Sequence, residues 1–338
     1  NNRHTDAATE VHHKMQCNFS GTTLISVLPP VLVTQFLGGI IGNGIALWIF
    51  CSHLKPWKSS TVLLFNLSMA DFLLNVALPF RASYYKSELK WMFGETFCNI
   101  CLFMLAMNRS GSTFFLMAIA VDRYMRVVHP YHPINSLSIL NATLGSMGIW
   151  VLTIVMNAHI FFLRHDQESY CESFMIDTKP HKNFTWHRFI FLFSFLLPLI
   201  VILYCTVCIV NHLRGRQLAQ HAKIKRALYF ITVVVTVFIV CFLPSNIAQL
   251  VIWIKTERLS NTLSPSLLCS DLENMTTVFY ITISLTYLNS MLDPVVYFFS
   301  SAAFKNVLWK ALHLPHSETA ESAEKKTRET GSRSLSQL

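Results

Sequence analysis

Charged residues are scarce in this chain of 338 residues, because Asp, Glu, Lys and Arg make up only 13% of it while 52% of the residues are apolar. The chain also lacks the spacing of a Ser-His-Asp triad, a phosphate-binding loop and a metal-ligand cluster outside its apolar segments. This composition is too apolar for an ordinary soluble domain. The missing catalytic motifs argue against an enzyme.

The apolar residues are gathered into seven blocks, four of which contain no charged residue. At ~1.5 Å per residue, each block is long enough to cross a bilayer core of ~30 Å as a helix. An open strand in lipid would leave its backbone polar groups unpaired, so we predict helices. The predicted spans are Leu24 to Phe50, Ser59 to Phe80, Phe97 to Val121, Pro133 to Leu163, Phe189 to Leu213, Ala227 to Ile254 and Asn274 to Ala303.

The distribution of charge predicts the orientation. If the N-terminus is extracellular, the excess of Lys and Arg falls on the inner loops and the tail, as the positive-inside bias requires. The net charge of +9 then reflects topology and not a nucleic-acid partner. We therefore expect a multi-pass plasma-membrane protein with a cytoplasmic C-terminus, whose first span serves as its insertion signal because the first twenty residues contain no apolar stretch.

Cysteines and glycosylation sequons fit this orientation. Four cysteines fall on the predicted outer side, where they can form two disulfides, and we expect Cys98 to pair with Cys171 and Cys17 with Cys269. N-glycan acceptors occur at Asn18 and Asn183.

The predicted fold class is all-α, a seven-transmembrane helix bundle with a short amphipathic eighth helix. It comprises an extracellular tail (1-22), the bundle (23-300), an amphipathic membrane-surface helix (301-313) and a disordered cytoplasmic tail (314-338).

Charges inside spans are costly, so Asp71, Arg109 and Asp293 are functional candidates. Each span also carries a short motif, in this order: Gly42-Asn43, Leu67-Ser-Met-Ala-Asp71, Asp122-Arg123-Tyr124, Trp150, Pro198, Cys241-Phe-Leu-Pro244 and Asp293-Pro-Val-Val-Tyr297. Taken together, these motifs resemble those of rhodopsin-like (class A) G-protein-coupled receptors over roughly residues 22 to 312.

This resemblance implies an activation switch in which Arg123 pairs with Asp122 at rest and releases it on activation. Prolines in the sixth and seventh spans would act as pivots. The implied switch residues are Asp122, Arg123, Tyr124, Phe242, Pro244, Asp293, Pro294 and Tyr297. The chain departs from the family at Phe242, where most members have Trp, and at Thr206, where a Tyr is common, so activation geometry is expected to differ in detail.

Polar residues on matching faces of the second, third and seventh spans resemble the internal sodium site of the family. They are Asp71, Asn108, Ser112, Asn289 and Asp293. A structural polar network without an ion is the alternative, because buried polar groups in helix bundles commonly pair with each other.

Longer stretches carry a narrower resemblance. Lys55-Pro-Trp-Lys-Ser-Ser-Thr61, Phe103-Met-Leu-Ala-Met-Asn-Arg-Ser-Gly-Ser112 and Leu285-Thr-Tyr-Leu-Asn-Ser-Met-Leu-Asp-Pro-Val-Val-Tyr297 are similar to the hydroxycarboxylic acid receptors and to the neighbouring oxoeicosanoid and hydroxyeicosatetraenoic acid receptors. In that group a third-helix arginine anchors the ligand carboxylate, and Arg109 matches it. A guanidinium fork suits a carboxylate because it donates two parallel, charge-assisted hydrogen bonds.

The same resemblance gives a wider set of ligand-binding candidates, with Tyr287 offering a hydroxyl to the carboxylate and others roofing the pocket. The set is Arg109, Arg81, Tyr287, Trp91, Ser173, Phe174 and Glu172. Two alternatives stay open: Glu172 could satisfy Arg109 permanently, and Arg81 could extend to the surface instead of facing the ligand.

The expected partners are a small carboxylate, membrane lipids, an inhibitory-class G protein that lowers cyclic AMP, and arrestin after tail phosphorylation. No cofactor is expected apart from the sodium ion. The alternatives are a class A receptor for a peptide or another lipid, and a transporter of organic acids, although no internal repeat supports a transporter. The chain length of the acid stays open.

Overall fold

A computed structural model describes residues 21–162, 171–172, 182–214, 221–259 and 265–311. Within these ranges, the described side chains exclude those of residues 182–188, 221–225, 256–272 and 302. The fold is all-α, and the described residues contain no strand. The helices are α1 (Thr22–Ser52), α2 (Ser59–Lys86), α3 (Glu95–Val128), α4 (Ile139–Asn157), α5 (Lys182–Arg214), α6 (His221–Leu259), α7 (Pro265–Ser300) and the short α8 (Ala302–Ala311).

Seven of these helices are long, and six of the described helices are apolar enough over their length to cross a membrane. The helix outside that group is α7, which packs against α1, α2 and α6. Its inward face carries fully buried polar side chains, among them Asn289, Ser290 and Asp293. These polar side chains keep the described part of α7 out of that group, and they contribute much of the polar interior of the bundle.

Two of the apolar blocks extend beyond the helices that they contain. The fourth span does not begin at Pro133, because Pro133–Ser136 forms a separate 3-10 turn, and α4 starts at Ile139 after Ser138, whose hydroxyl accepts a hydrogen bond from the Asn141 amide at 3.2 Å. The seventh helix ends at Ser300 and not at Ala303, since the Ser301 hydroxyl accepts the Phe304 amide at 3.3 Å where α8 begins. Uncharged sequence continues across both boundaries, and only these caps mark them.

Interhelical hydrogen bonds tie the bundle together near its middle. Asn43 of α1 donates to the Ser290 carbonyl of α7 at 2.7 Å and accepts from the Ser68 hydroxyl of α2 at 3.3 Å. Trp150 of α4 donates its indole N–H to Asn66 of α2 at 2.8 Å. Polar contacts of this kind hold helices together in lipid, where apolar burial does not drive association between helices.

The helix α8 packs against the bundle through several apolar side chains, among them Phe304 and Trp309, whose ring lies 6.4 Å from that of Phe298 in α7. Phe304 is buried, and its ring lies 5.4 Å from that of Phe50 in α1 and 6.1 Å from that of Tyr297 in α7. We call this end of the bundle the α8 end, and the opposite end, which holds the bond between Cys98 and Cys171, the disulfide end.

A close approach between α1 and α7 depends on Gly42. A Cβ atom added to Gly42 would lie 2.7 Å from Cγ of Pro294, whose ring cannot rotate away. Two residues later, Gly44 has no atom within 4 Å of an added Cβ. A side chain at position 42 would therefore disturb the packing of α1 on α7. A side chain at position 44 would change only the helix propensity of α1.

We expect Gly42→Ala to destabilise the protein by about 1–3 kcal/mol, because the methyl group forces α1 away from Pro294. Gly44→Ala is the matched control and should unfold at the same temperature as the wild type or higher, since alanine favours the helix. Thermal unfolding in detergent measures both. Equal losses in the two variants would contradict the close packing of α1 on α7.

Candidate ligand-binding site

A cavity of about 70 Å³ lies between the helices towards the disulfide end. Most of its wall is apolar, and the charged residues among the described lining are Arg81, Arg109 and Glu172. The other lining residues are Leu102, Leu105, Ala106, Ser110, Asn157, Ile190, Phe191, Ser194, Phe279, Tyr280, Ile283, Thr286 and Tyr287. A concave apolar site with a few convergent polar groups is typical of a small-molecule site.

Arg109 on α3 is buried in this wall with only neutral partners. Its guanidinium donates to the Ser194 hydroxyl on α5 at 3.4 Å and to the side-chain oxygen of Asn246 on α6 at 3.1 Å. Its Cζ lies 3.3 Å from the centroid of the Phe191 ring, and its buried Nε has no hydrogen-bond partner. Within the part of the chain that the structure describes, no carboxylate forms an ion pair with Arg109.

Arg81 on α2 is also buried, but its charge is matched by a carboxylate, although its Nε, like that of Arg109, has no hydrogen-bond partner. Its guanidinium forms a salt bridge to Glu172 at 3.0 Å and donates to the Cys171 carbonyl at 2.7 Å and to the Tyr85 hydroxyl at 2.9 Å. The rings of Tyr84 and Tyr85 also contact it, with Cζ about 5 Å from each centroid. Burial raises the pKa of the Glu172 carboxyl, although Arg81 beside it acts in the opposite direction.

These contacts correct two of the open alternatives. Glu172 does reach into the bundle, but it pairs with Arg81 and not with Arg109. Arg81 does not extend to the surface, because only 2% of it is exposed. The reason is geometric: Tyr85 lies one turn beyond Arg81 on α2, and its hydroxyl bridges the guanidinium and the Glu172 carboxylate, to which it donates at 3.3 Å.

A disulfide fixes the loop segment that carries Glu172. Cys98 in the first turn of α3 is bonded to Cys171, with 5.7 Å between the Cα atoms. Both residues are buried. Glu172 follows Cys171 directly, so its position over the cavity is set by a covalent bond to α3. Of the other expected pair, Cys17 and the side chain of Cys269 lie outside the described residues.

The remaining candidates divide into those that line the cavity and those that do not. Tyr287 of α7 lines it. Trp91, predicted to roof the pocket, instead packs beside Phe97 with its indole N–H donating to the Gly94 carbonyl at 2.8 Å, because the turn before α3 folds back on the ring. Ser173 and Phe174 lie outside the described residues, as do the acceptor Asn18 and the side chain of Asn183.

Three residues that contact Arg109 escaped the sequence analysis: Phe191, Ser194 and Asn246. A usable signal existed for two of them, since Ser194 and Asn246 are polar residues in otherwise apolar spans, close to the prolines Pro198 and Pro244. Phe191 gave none, because aromatic residues are abundant in every span.

Deeper in the bundle, the five residues predicted to form a sodium site are all fully buried. Asn108 donates to Asp71 at 3.2 Å and to Ser112 at 3.3 Å, and Asn289 donates to Asp293 at 2.9 Å. The Tyr297 hydroxyl, which was not in the predicted set, donates to Asp71 at 3.4 Å and to Asn43 at 3.3 Å.

Oxygen atoms in this polar centre remain unpaired. The side-chain oxygens of Asn108 and Asn289 and one carboxylate oxygen of Asp293 are buried without a hydrogen-bond partner. No basic side chain among the described residues forms a salt bridge with Asp71 or Asp293. Two buried carboxylates with spare neutral oxygens match the ligand chemistry of a hard cation.

At the α8 end, Asp122 has a different principal partner from the one predicted. Arg126 donates to both of its oxygens at 3.0 and 3.1 Å, and the Ser60 hydroxyl donates at 2.7 Å. Arg123 approaches Asp122 only to 3.9 Å. The expected Asp122 and Arg123 pair is therefore secondary, because Arg126, one helical turn beyond Asp122, occupies the carboxylate.

Arg123 instead connects α3 to two other helices. It donates to the Ser300 hydroxyl at the end of α7 at 2.7 Å, and its Cζ lies 4.9 Å from the centroid of the Phe230 ring in α6. The neighbouring Tyr124 hydroxyl lies 3.0 Å from Nε2 of His129. In α6, Phe242 is fully buried beside Phe238, with 5.4 Å between ring centroids.

Comparisons with known proteins agree with this architecture. Hydroxycarboxylic acid receptor 2 from Homo sapiens is 46% identical over 90% of this chain and 83% of its own length. Hydroxycarboxylic acid receptor 1 from Homo sapiens is 43% identical over 85% of this chain and 81% of its own length. Oxoeicosanoid receptor 1 from Homo sapiens is 39% identical over 85% and 73%, respectively.

These relatives are receptors and not enzymes, in agreement with the absence of catalytic motifs from the sequence. Residues 42–297 match the family described as 7 transmembrane receptor (rhodopsin family). That range begins within α1 and ends within α7, so it covers α2 to α6 completely and parts of the first and seventh helices. The chain is thus a multi-pass membrane protein that belongs to the rhodopsin family of seven-transmembrane, G-protein-coupled receptors.

Proposed function

We propose that this receptor is activated by a small carboxylic acid, a hydroxycarboxylic acid or an oxidised fatty acid, whose carboxylate binds Arg109. The observation that carries the proposal is a buried guanidinium in a cavity wall with no counter-charge among the described residues. An unpaired charge in such a place is costly, and a ligand carboxylate would remove most of that cost.

The surroundings of Arg109 suit both the carboxylate and the hydrocarbon part of such a ligand. The unpaired Nε leaves one donor of the guanidinium available, and the bonds to Ser194 and Asn246 go to neutral oxygens that a carboxylate outcompetes. Apolar side chains, among them Leu102, Ile190 and Ile283, offer a surface for the hydrocarbon part. The names of the relatives, which cover hydroxycarboxylic acids and an oxoeicosanoid, support acids as the ligand class.

Asn246 connects the proposed ligand site to α6, so that ligand binding can change the conformation of this helix. Its side-chain oxygen accepts from Arg109 while its amide donates to the Phe242 carbonyl at 2.7 Å. A carboxylate that takes over the guanidinium would leave Asn246 without that donor, two residues beyond Pro244, where the helix is weakened by the missing backbone hydrogen bond. Binding would thus change the conformation of α6 at its pivot.

At the α8 end, Arg123 is positioned to respond. Its contacts to Ser300 and Phe230 join α3 to α7 and α6, so movement of either helix breaks them. We propose that the opening created there receives an inhibitory-class G protein, which lowers cyclic AMP, and that arrestin binds after phosphorylation of the Ser- and Thr-containing tail. The other residues of this switch are Asp122, Tyr124, Phe242, Pro244, Asp293, Pro294 and Tyr297.

We also propose that a sodium ion binds among Asp71, Asn108, Ser112, Asn289 and Asp293. The unpaired oxygens and the two carboxylates without a basic partner support a cation more strongly than a polar network alone, because a closed network would leave no buried acceptor oxygens unmatched. A bound cation would stabilise the resting arrangement of α2, α3 and α7 by neutralising these carboxylates.

The orientation is part of the same proposal. Positive charge concentrated in the loops and tail on the α8 side supports an N-terminus outside the cell. An epitope tag before Thr22 should accordingly be reached by antibody on intact cells, whereas a tag after Ala311 should be reached only after permeabilisation. The reverse pattern would contradict the orientation and place the cavity on the cytoplasmic side.

We expect Arg109→Ala to reduce the potency of an active acid by about 30-fold or more, since the ligand charge would be left unpaired in the cavity. Arg109→Lys should recover only part of the response, because lysine keeps the charge and loses the fork. The measurement is inhibition of cyclic AMP across short hydroxy acids and oxidised fatty acids, at matched surface expression.

Lys90→Ala is the matched control for a general electrostatic effect, because it removes an exposed positive charge at the same end of the bundle. Its response should equal that of the wild type. A normal response from Arg109→Ala, or silence of the wild type towards every acid, would refute carboxylate recognition and direct attention to peptide or neutral lipid ligands.

For the sodium site, the purified receptor should unfold at a higher temperature in sodium chloride than in choline chloride at equal ionic strength. Asp71→Asn should abolish this difference, because one of the two carboxylate ligands is lost. Thermal unfolding of both proteins in the two salts measures it. A wild type that shows no dependence on the cation would exclude the proposed ion.

A further inference from the structure

We infer that Glu172 determines the charge of the ligand that the cavity accepts. By neutralising Arg81, it leaves Arg109 as the single uncompensated charge among the described lining residues, so that a monocarboxylate is matched and a dicarboxylate is rejected. This inference rests on the proposed function and extends it to a specificity-determining residue.

The described part of the cavity wall carries one net positive charge. Arg81 and Arg109 contribute two positive charges and Glu172 contributes one negative charge to the same cavity. All three side chains are at least nine-tenths buried. Because charges in such a site are poorly screened, the net charge of the wall has to be cancelled by the ligand, and a monocarboxylate cancels it.

A second carboxylate would find no free cation among the described lining residues. Arg81 is the other guanidinium in that part of the wall, and Glu172 holds it at 3.0 Å. Any ligand carboxylate brought to Arg81 would have to displace Glu172 or lie beside it, and like charges at that distance repel strongly. Specificity of this kind comes from a repulsive element already present in the site.

The pair exists independently of any ligand because its surroundings hold it in place. The disulfide between Cys98 and Cys171 fixes the segment next to Glu172, and the Cys171 carbonyl accepts from Arg81 at 2.7 Å. Tyr85 contacts both partners through its hydroxyl. Glu172 is therefore not a mobile counter-ion that a competing carboxylate displaces at low cost.

The same contacts predict what happens when the Glu172 charge is removed. In Glu172→Gln, Arg81 keeps its bonds to the Cys171 carbonyl and the Tyr85 hydroxyl, so its guanidinium stays in the cavity wall. The wall would then carry two unmatched positive charges. A dicarboxylate long enough to reach from Arg109 to Arg81 should become the better ligand.

The test compares monocarboxylates with dicarboxylates of the same carbon number, butanoate with butanedioate and octanoate with octanedioate, in the cyclic AMP assay at matched ionic strength. The wild type should prefer the monocarboxylate of at least one pair by about tenfold or more, and Glu172→Gln should reduce or reverse that preference by about tenfold. An unchanged preference in Glu172→Gln at normal surface expression would overturn the inference.

The double variant Arg81→Gln with Glu172→Gln is the matched control, because it removes the pair and restores the single net positive charge. It should regain the wild-type preference, and it also covers the case in which Glu172→Gln alone fails to reach the cell surface. A double variant that still favours the dicarboxylate would show that the effect does not pass through Arg81, against the inference.

Failure of the proposed function and failure of the inference have different results. If neither the wild type nor the variants respond to any of the acids, the proposed function is refuted, and the inference with it. If the response requires Arg109 but is insensitive to Glu172, the inference alone is refuted.

Discussion

The structure is governed by the absence of water from the bilayer core. Any polar group that a span carries has to find its partner inside the bundle, from another helix, from a loop that reaches inward or from a ligand. The buried residues of this chain illustrate each solution. Asn43 is satisfied by α7 and α2, and Arg81 by the segment after Cys171, while Arg109 has only weak, neutral partners.

The contrast between the two arginines separates structure from function. They share one cavity and one chemistry, yet the first is held by a carboxylate, a carbonyl, a hydroxyl and two aromatic rings, and the second by a hydroxyl, an amide and one ring. A guanidinium paired with a carboxylate stabilises the fold around it. A guanidinium without a counter-charge stores unfavourable free energy that binding can release, which is why a site for an anion is expected there.

Much of the fold could be predicted from the sequence, since long uncharged blocks in lipid permit only helices. The start of α4 after Ser138 could not, because it depends on a cap that hydropathy does not register. Arg109, Asp71 and Asp293 were identifiable as costly charges within spans. Their partners were harder to predict, since the choice of Glu172 between two arginines depends on where the disulfide holds it and on the Tyr85 hydroxyl, and neither follows from spacing along the chain.

The position of Arg126 has a consequence for the mechanics of the α8 end. Asp122 binds Arg126 and Ser60, and Arg126 in turn donates to the Ser59 hydroxyl at 2.8 Å, so this part of α3 is fastened to the first turn of α2. The fastening does not involve Arg123, whose contacts run to the other side, towards α6 and α7. The end of α3 can therefore stay attached to α2 during activation. The contacts of Arg123 to α6 and α7 can break independently when those two helices move.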